Sequence, residues 1–156
     1  MYSVRQWSVT HARKLETFYR IFESTLIKLH PLFSKIGYER LEKPVRVVEK
    51  AVKSFMFDCQ MCGQCALSST GMSCPMNCPK SLRNGPCGGV RLDGHCEVKP
   101  EMRCVWVEAW RGSGSMAKQE SIQSVQMPVD FRYKGSSSWL RVIRNNASQN
   151  QSEKSL

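Results

Sequence analysis

The chain has 156 residues, of which 41% are hydrophobic and 23% charged, and its formal net charge is +10 at pH 7. This length supports one modest domain and excludes two sizeable cores, and no apolar run approaches the roughly 20 residues that cross a bilayer. Because the basic side chains are spread along the chain, we expect ordinary solubility or an acidic protein partner, with no nucleic acid and no membrane span.

The N-terminal third predicts helices. Its first residues are polar and basic and lack the apolar segment of a secretory signal, which indicates a cytoplasmic protein. Apolar side chains recur at steps of three and four over residues 9–30, and again over residues 44–57, where Pro44 suits a first helical turn. We therefore predict an N-terminal helical segment, residues 1–58, whose apolar faces either cover the rest of the chain or dock on another protein.

The middle of the chain holds every cysteine. Because cytosolic thiols stay reduced, so many clustered cysteines indicate metal ligands rather than disulfides. The surrounding residues are rich in Gly and Pro, whose tight turns aim backbone N-H groups at sulfur, and a short helix with Pro100 in its first turn is expected to close the segment. Residues 59–112 are therefore interpreted as a loop-rich metal module with eight candidate ligands, namely Cys59, Cys62, Cys65, Cys74, Cys78, Cys87, Cys96 and Cys104.

The cysteine spacing bears on the kind of metal. Structural zinc sites usually draw their ligands as separated pairs, whereas Cys59, Cys62 and Cys65 form a triple with two residues between neighbours. Such a triple is typical of the loop that wraps a 4Fe-4S cluster. Eight ligands allow one or two clusters, and zinc, alone or beside one cluster, remains the alternative. The spacing does not show which later cysteine completes the first site.

The last part of the chain is rich in Ser, Gln and Asn, which predicts a disordered tail over residues 113–156. Two short apolar islands, residues 129–133 and 139–143, are candidate clamps onto a partner surface. The expected fold is thus a small, mainly α and irregular protein made of N-terminal helices, a cysteine-ligated module and this tail. Since no catalytic motif occurs, we expect no catalysis by the chain alone.

The module also resembles a known family. The similar residues extend roughly from 45 to 111 and contain several blocks in order, beginning at Cys59, Thr70, Asn84, Gly94 and Cys104. These blocks read CQMCGQC, TGMSCPMNCPK, NGPCGGV, GHCEV and CVW. They resemble the family called methylenetetrahydrofolate reductase C-terminal domain, whose members in acetogenic bacteria form the small cysteine-rich subunit of the reductase.

The resemblance implies a partner. That partner is the reductase catalytic subunit, a TIM barrel that holds the flavin, so flavin is expected there and not in this chain. On this hypothesis the chain is an iron-sulfur accessory subunit that passes electrons from an unidentified donor to the partner's flavin in one-carbon folate metabolism. The alternative is a zinc-binding structural adaptor of the same reductase without a redox role. Family members are described with either metal, so the resemblance leaves the metal open.

Overall fold

Helices dominate the computed structural model, which describes residues 2–154. Met1 and residues 155–156, at the ends of the predicted N-terminal segment and tail, lie outside the described residues. The helices within this range are α1 (Tyr2–Thr10), α2 (Ala12–Lys28), α3 (His30–Ile36), α4 (Tyr38–Phe57), α5 (Val105–Ser113) and α6 (Ser138–Lys154). Residues 2–154 contain no β-strand, and no helix in them is both long and apolar enough for a membrane span. The prediction of a mainly α protein is confirmed.

The N-terminal helices begin and end at different residues from those predicted. The expected single helix over residues 9–30 is divided, because α1 ends at Thr10 and α2 begins at Ala12. Pro31, directly after the predicted range, occupies the first turn of α3, where its missing N-H costs no hydrogen bond. Helix α4 starts before Pro44 and contains it, so the proline does not mark the helix start.

Helix α4 ends directly at the cysteine module. Asp58 adopts the left-handed conformation with φ 53, and the amide of Cys59 donates to the carbonyl of Lys53 at 3.3 Å. A left-handed residue after the last turn is a common way to end a helix and reverse the chain. The first cysteine is therefore held by the C-terminal cap of α4 rather than by a free loop.

The hydrophobic core lies between the helices and the module. Ala12 from α2 and Phe57 from α4 pack with Leu67, Met72 and Cys74 of the module, and all five are buried. Burial of such side chains is the main favourable contribution to folding. Of the two roles expected for the N-terminal helices, the structure therefore supports covering the module.

The helices do not cover the module with their most apolar faces. Val52 and Phe55 of α4 are exposed by 44% and 64%, and Phe18 of α2 is exposed by 68%. In their place α4 turns Glu49 and Lys53 inward, with exposures of only 1% and 3%. Since charged side chains are almost never fully buried unless paired, this inverted arrangement needs a specific role for that pair.

Helix α5 packs on the module through backbone contact. It begins at Val105, later than the start predicted near Pro100, and buries Trp106 and Ala109 against Cys104. A β-carbon built on its residue Gly112 would lie 2.2 Å from the carbonyl oxygen of Gly71. No side chain fits between them, so the helix and the loop before Cys74 lie in direct contact.

The structure corrects the prediction of a disordered tail. Met116, Leu140 and Ile143 each have an exposure of 1%, and residues Ser138–Lys154 form α6. The ring of Trp139 meets that of Phe22 on α2 edge to face, with ring centroids 4.8 Å apart. A few buried anchors thus order a segment whose average composition is polar. Of the two islands predicted as clamps on a partner, residues 139–143 pack within this chain, whereas Phe131 and Tyr133 of the first island are exposed.

Candidate metal centre

The first group of cysteines shares one cavity. Cys59, Cys62, Cys65 and Cys74 all line a cavity of ≈ 20 Å³, and none of the other four cysteines does so. The triple therefore meets Cys74, although eight residues separate Cys74 from Cys65. Four thiols in the lining of one cavity are a donor set that suits zinc or an iron-sulfur cluster. The cysteine that lines this cavity together with the triple is Cys74.

Backbone turns bring these thiols together. Met61, Gly63 and Met72 have positive φ values of 48, 72 and 60, so the chain reverses beside the cysteines. These turns place donors near sulfur, since the amide of Met61 lies 3.4 Å from the Cys59 sulfur. Peptide N-H groups aimed at thiolates stabilise their negative charge and tune a bound metal.

Two of these thiols strongly favour their protonated form. Burial raises the pKa of Cys59 to about 11, although the Met61 amide acts in the opposite direction. Burial, followed by repulsion from the Cys59 thiolate, raises the pKa of Cys74 to about 12. Since a metal binds the thiolate form, its binding must release these protons.

Cys65 differs from the rest of the first group by its exposure. Cys62 and Cys74 are buried, whereas Cys65 is exposed and lies in the wall of a wide cleft of ≈ 1210 Å³. The same cleft is lined by Tyr19, Arg46 and Arg141 among other residues. Of the first four thiols, Cys65 is therefore the one a partner molecule can reach from this cleft.

The second group lies in the loop before α5. The amide of Cys96 donates to Met102 at 3.0 Å, and the amide of Cys104 donates to Gly94 at 2.9 Å, so these cysteines sit on neighbouring chain segments. Cys87 lies three residues before Val90, which pairs with Cys96 in an isolated antiparallel bridge. Cys78 directly follows a short 3-10 helix, Pro75–Asn77.

The thiols are close but do not form a finished metal site. Within residues 2–154 no three Cys, His, Asp or Glu side chains adopt the arrangement of a metal-binding group. All eight cysteines are free, with no disulfide between them. The assignment of Cys59 to Cys104 as metal ligands therefore stays a prediction, supported for the first group by its shared cavity.

The C-terminal segment holds the loop of the triple. The amide of Gly135 donates to the Met61 carbonyl at 2.7 Å, and the Asp130 amide donates to the Gln64 side chain at 2.7 Å. The Arg141 guanidinium donates to the Gly63 carbonyl at 2.9 Å. Residues 130–141, which we call the strap, thus supply three hydrogen bonds to the chain between Cys59 and Cys65.

Sequence reasoning missed a buried charged pair beside the first group. Lys53 donates to Glu49 at 2.7 Å and to the hydroxyl of Ser138 at 2.7 Å, and both charged residues line the cavity of the four thiols. A signal was present in the sequence, because an acid and a base four residues apart on one helix are positioned to pair. Such pairs usually face solvent, so the pattern gave no reason to place it inside.

A comparison with protein families identifies the chain. The sequence model of the family described as methylene-tetrahydrofolate reductase C terminal matches residues 38–132, more than half of the chain. The chain belongs to this family. Comparisons with curated proteins and with solved structures gave no match. The resemblance found in the cysteine blocks is thereby confirmed.

Membership of the methylene-tetrahydrofolate reductase C-terminal family associates the chain with that reductase and with folate metabolism. The matched region contains all eight cysteines and ends at residue 132, within the strap. Helices α1, α2 and α3 precede the match, α4 lies within it and α6 follows it. The first three helices and α6 are therefore outside the matched region.

Proposed function

We propose that the chain is an iron-sulfur accessory subunit that docks on a flavin-dependent methylenetetrahydrofolate reductase and supplies electrons to its flavin. The observation that carries this proposal is the convergence of Cys59, Cys62, Cys65 and Cys74 on one cavity, with Cys65 open to a wide cleft. Family membership supports the choice of partner. A 4Fe-4S cluster, when bound, accepts and releases single electrons.

The residues of the chain suit this role in two ways. The buried thiols Cys62 and Cys74 lie away from water, which protects a bound group. Cys65 faces the cleft, where a partner surface can approach. The proposal assigns the reduction itself to the partner and its flavin, since the flavin carries the chemistry of this reaction.

A second candidate is a zinc-binding structural adaptor of the same reductase. The cavity volume of ≈ 20 Å³ favours it, because this space is about that of one water-sized sphere and is closer to the size of a single ion than to that of a cubane cluster. The triple spacing favours the cluster and the cavity size favours zinc, so metal analysis separates the two candidates.

The deciding experiment is anaerobic purification of the chain together with the reductase, followed by measurement of iron, acid-labile sulfide and zinc per chain. The redox proposal requires iron and sulfide, an EPR signal after reduction by dithionite, and reduction of the partner's flavin that is slowed by Cys65→Ser. Ser68→Ala, in the same cleft, is the matched control. Stoichiometric zinc without sulfide in fresh anaerobic protein would establish the adaptor instead.

A further inference from the structure

The buried pair Glu49 and Lys53 occupies a costly position. Both side chains are almost fully shielded from water, with exposures of 1% and 3%. A buried ion pair often contributes nothing to stability compared with apolar residues of the same size. Helix α4 contains apolar residues that could fill this position, because Val52 and Phe55 lie on the same helix and are exposed to solvent. The orientation of α4 therefore indicates that the buried charges have a use other than stability.

Glu49 has partners besides Lys53. Its carboxylate accepts from the Ser137 hydroxyl at 2.6 Å, the Ser138 amide at 3.2 Å and the Trp139 amide at 3.4 Å. It thus receives the first amides of α6, where a negative charge is favourable because of the helix dipole. Burial by itself raises the pKa of Glu49, but Lys53 and these hydroxyls outweigh it and hold the pKa below its ordinary value. The carboxylate therefore has partners at the start of α6 in addition to Lys53.

Lys53 faces the thiols on its other side. It lines the cavity shared by Cys59, Cys62, Cys65 and Cys74. Its ammonium also lies 5.3 Å from the centre of the Trp139 ring, a distance suited to a cation-π contact. The ammonium is thereby held by α6 against the cysteine cavity.

The charge of the site explains why a cation is needed there. Four thiolates around zinc or an oxidised 4Fe-4S cluster carry a net charge of about −2, which is unfavourable away from water. Since hydroxyls and amides at the start of α6 stabilise Glu49 together with Lys53, the positive charge of Lys53 is shared between Glu49 and the cysteine cavity that it lines. We propose that Lys53 is the buried counter-charge of the first cysteine group, held in position by Glu49 and Ser138. This inference rests on the proposed metal-binding function.

The proposal makes α6 part of the metal centre. Ser138 accepts from Lys53 and lies beyond residue 132, where the family match ends. Lys53 itself is a positioning residue, since it acts on the metal through the thiolates and is not a ligand. A positive charge at this point favours thiolate over thiol and the reduced over the oxidised form of a bound cluster.

The test compares Lys53→Met with Lys53→Arg, which keeps the charge, and with Lys50→Met, an exposed lysine on the same helix. Zinc affinity is measured on the full chain by chelator competition, and Co²⁺ is used to follow thiolate ligation by its absorption. We expect about tenfold weaker zinc binding for Lys53→Met, which equals about 1.4 kcal/mol. Lys53→Arg should stay near wild type and Lys50→Met should be unchanged. In the chain reconstituted with iron and sulfide, Lys53→Met should shift the reduction potential to a more negative value.

Unchanged zinc affinity and potential in Lys53→Met would overturn the inference while leaving the proposed function intact. Equal losses in Lys53→Met and Lys53→Arg would overturn it as well, because that result indicates packing rather than charge. Should Lys53→Met fail to fold, Ser138→Ala decides, since it keeps the charge but removes its anchor and is expected to weaken zinc binding by a smaller factor. A wild-type chain that binds neither zinc nor an iron-sulfur cluster would overturn the proposed function, and this inference with it.

Discussion

Gly63 lies directly against the backbone of Tyr133. A β-carbon built on Gly63 would lie 2.3 Å from the Tyr133 carbonyl oxygen, a distance that real β-carbons do not reach. Gly63 also has a φ of 72, in the left-handed region that other residues seldom adopt. The loop that carries the first three cysteines is therefore shaped to receive the C-terminal strap.

The first prediction is that Gly63→Ala detaches the strap. The added methyl group meets backbone that cannot move aside without breaking hydrogen bonds, and the left-handed conformation adds strain. We expect a loss of about 1–3 kcal/mol of stability, measured by chemical unfolding, and faster proteolysis after residue 130. Gly88→Ala is the matched control, because nothing lies within 4 Å of its added β-carbon. Equal behaviour of the two variants would contradict this contact.

The second prediction concerns how the stability of the protein changes at acidic pH. The folded state holds the pKa of Glu49 below its ordinary value of about 4.3, so the native state binds fewer protons than the unfolded state. Its stabilisation is therefore complete above that ordinary value and is lost as the pH falls through the folded pKa. Unfolding of wild type and Glu49→Gln, compared with EDTA present, should differ by roughly 3 kcal/mol at pH 7, with the difference shrinking below pH 4. A difference that stays constant from pH 7 to pH 3 would speak against a charged Glu49.

The third prediction is a steep pH dependence of metal binding. The thiols of Cys59 and Cys74 have pKa values of about 11 and 12, so they carry protons at neutral pH and must release them to a metal. Zinc affinity should therefore rise by at least about tenfold per pH unit between pH 6.5 and 8.5, after correction for the chelator. An affinity independent of pH in this range would show that these thiols do not bind the metal.

The fourth prediction tests Cys74 as the fourth member of the first group. In a chain with the Cys87→Ser and Cys96→Ser changes, which disable the second group, one metal should still bind. Adding Cys74→Ser should abolish that binding, because Cys74 lines the cavity of the triple. Adding Cys78→Ser, which changes the neighbouring Cys-Pro sequence, should leave it. Retained binding with Cys74→Ser and loss with Cys78→Ser would reverse the assignment.

The sequence predicted three of the four cysteines that line the first cavity, and the fourth depends on a tertiary contact. Cys59, Cys62 and Cys65 are close in the chain, so spacing alone places them in one loop. Cys74 joins them through a turn at Gly71 that is fixed by its contact with Gly112 in α5. That contact joins residues far apart in the chain, and no local pattern reveals it.

The tail was harder to predict because its order depends on few residues. Leu140 and Ile143 supply apolar anchors in a segment that is otherwise polar, and averaged composition hides them. The start of α6 at Ser138 is held by Glu49, a residue in a helix that precedes the module. Local composition therefore predicts disorder, whereas the tertiary contact stabilises a helix.

The strap extends beyond residue 132, where the family match ends, and this affects the choice of a truncated chain. A chain shortened at residue 132, where sequence similarity stops, would retain all eight cysteines and every recognisable block. It would nevertheless lack the Gly135 amide, the Ser138 hydroxyl and the Arg141 guanidinium, which hold the first loop and Lys53. Truncation by similarity would thus yield a protein with a complete set of ligands and an unsupported site.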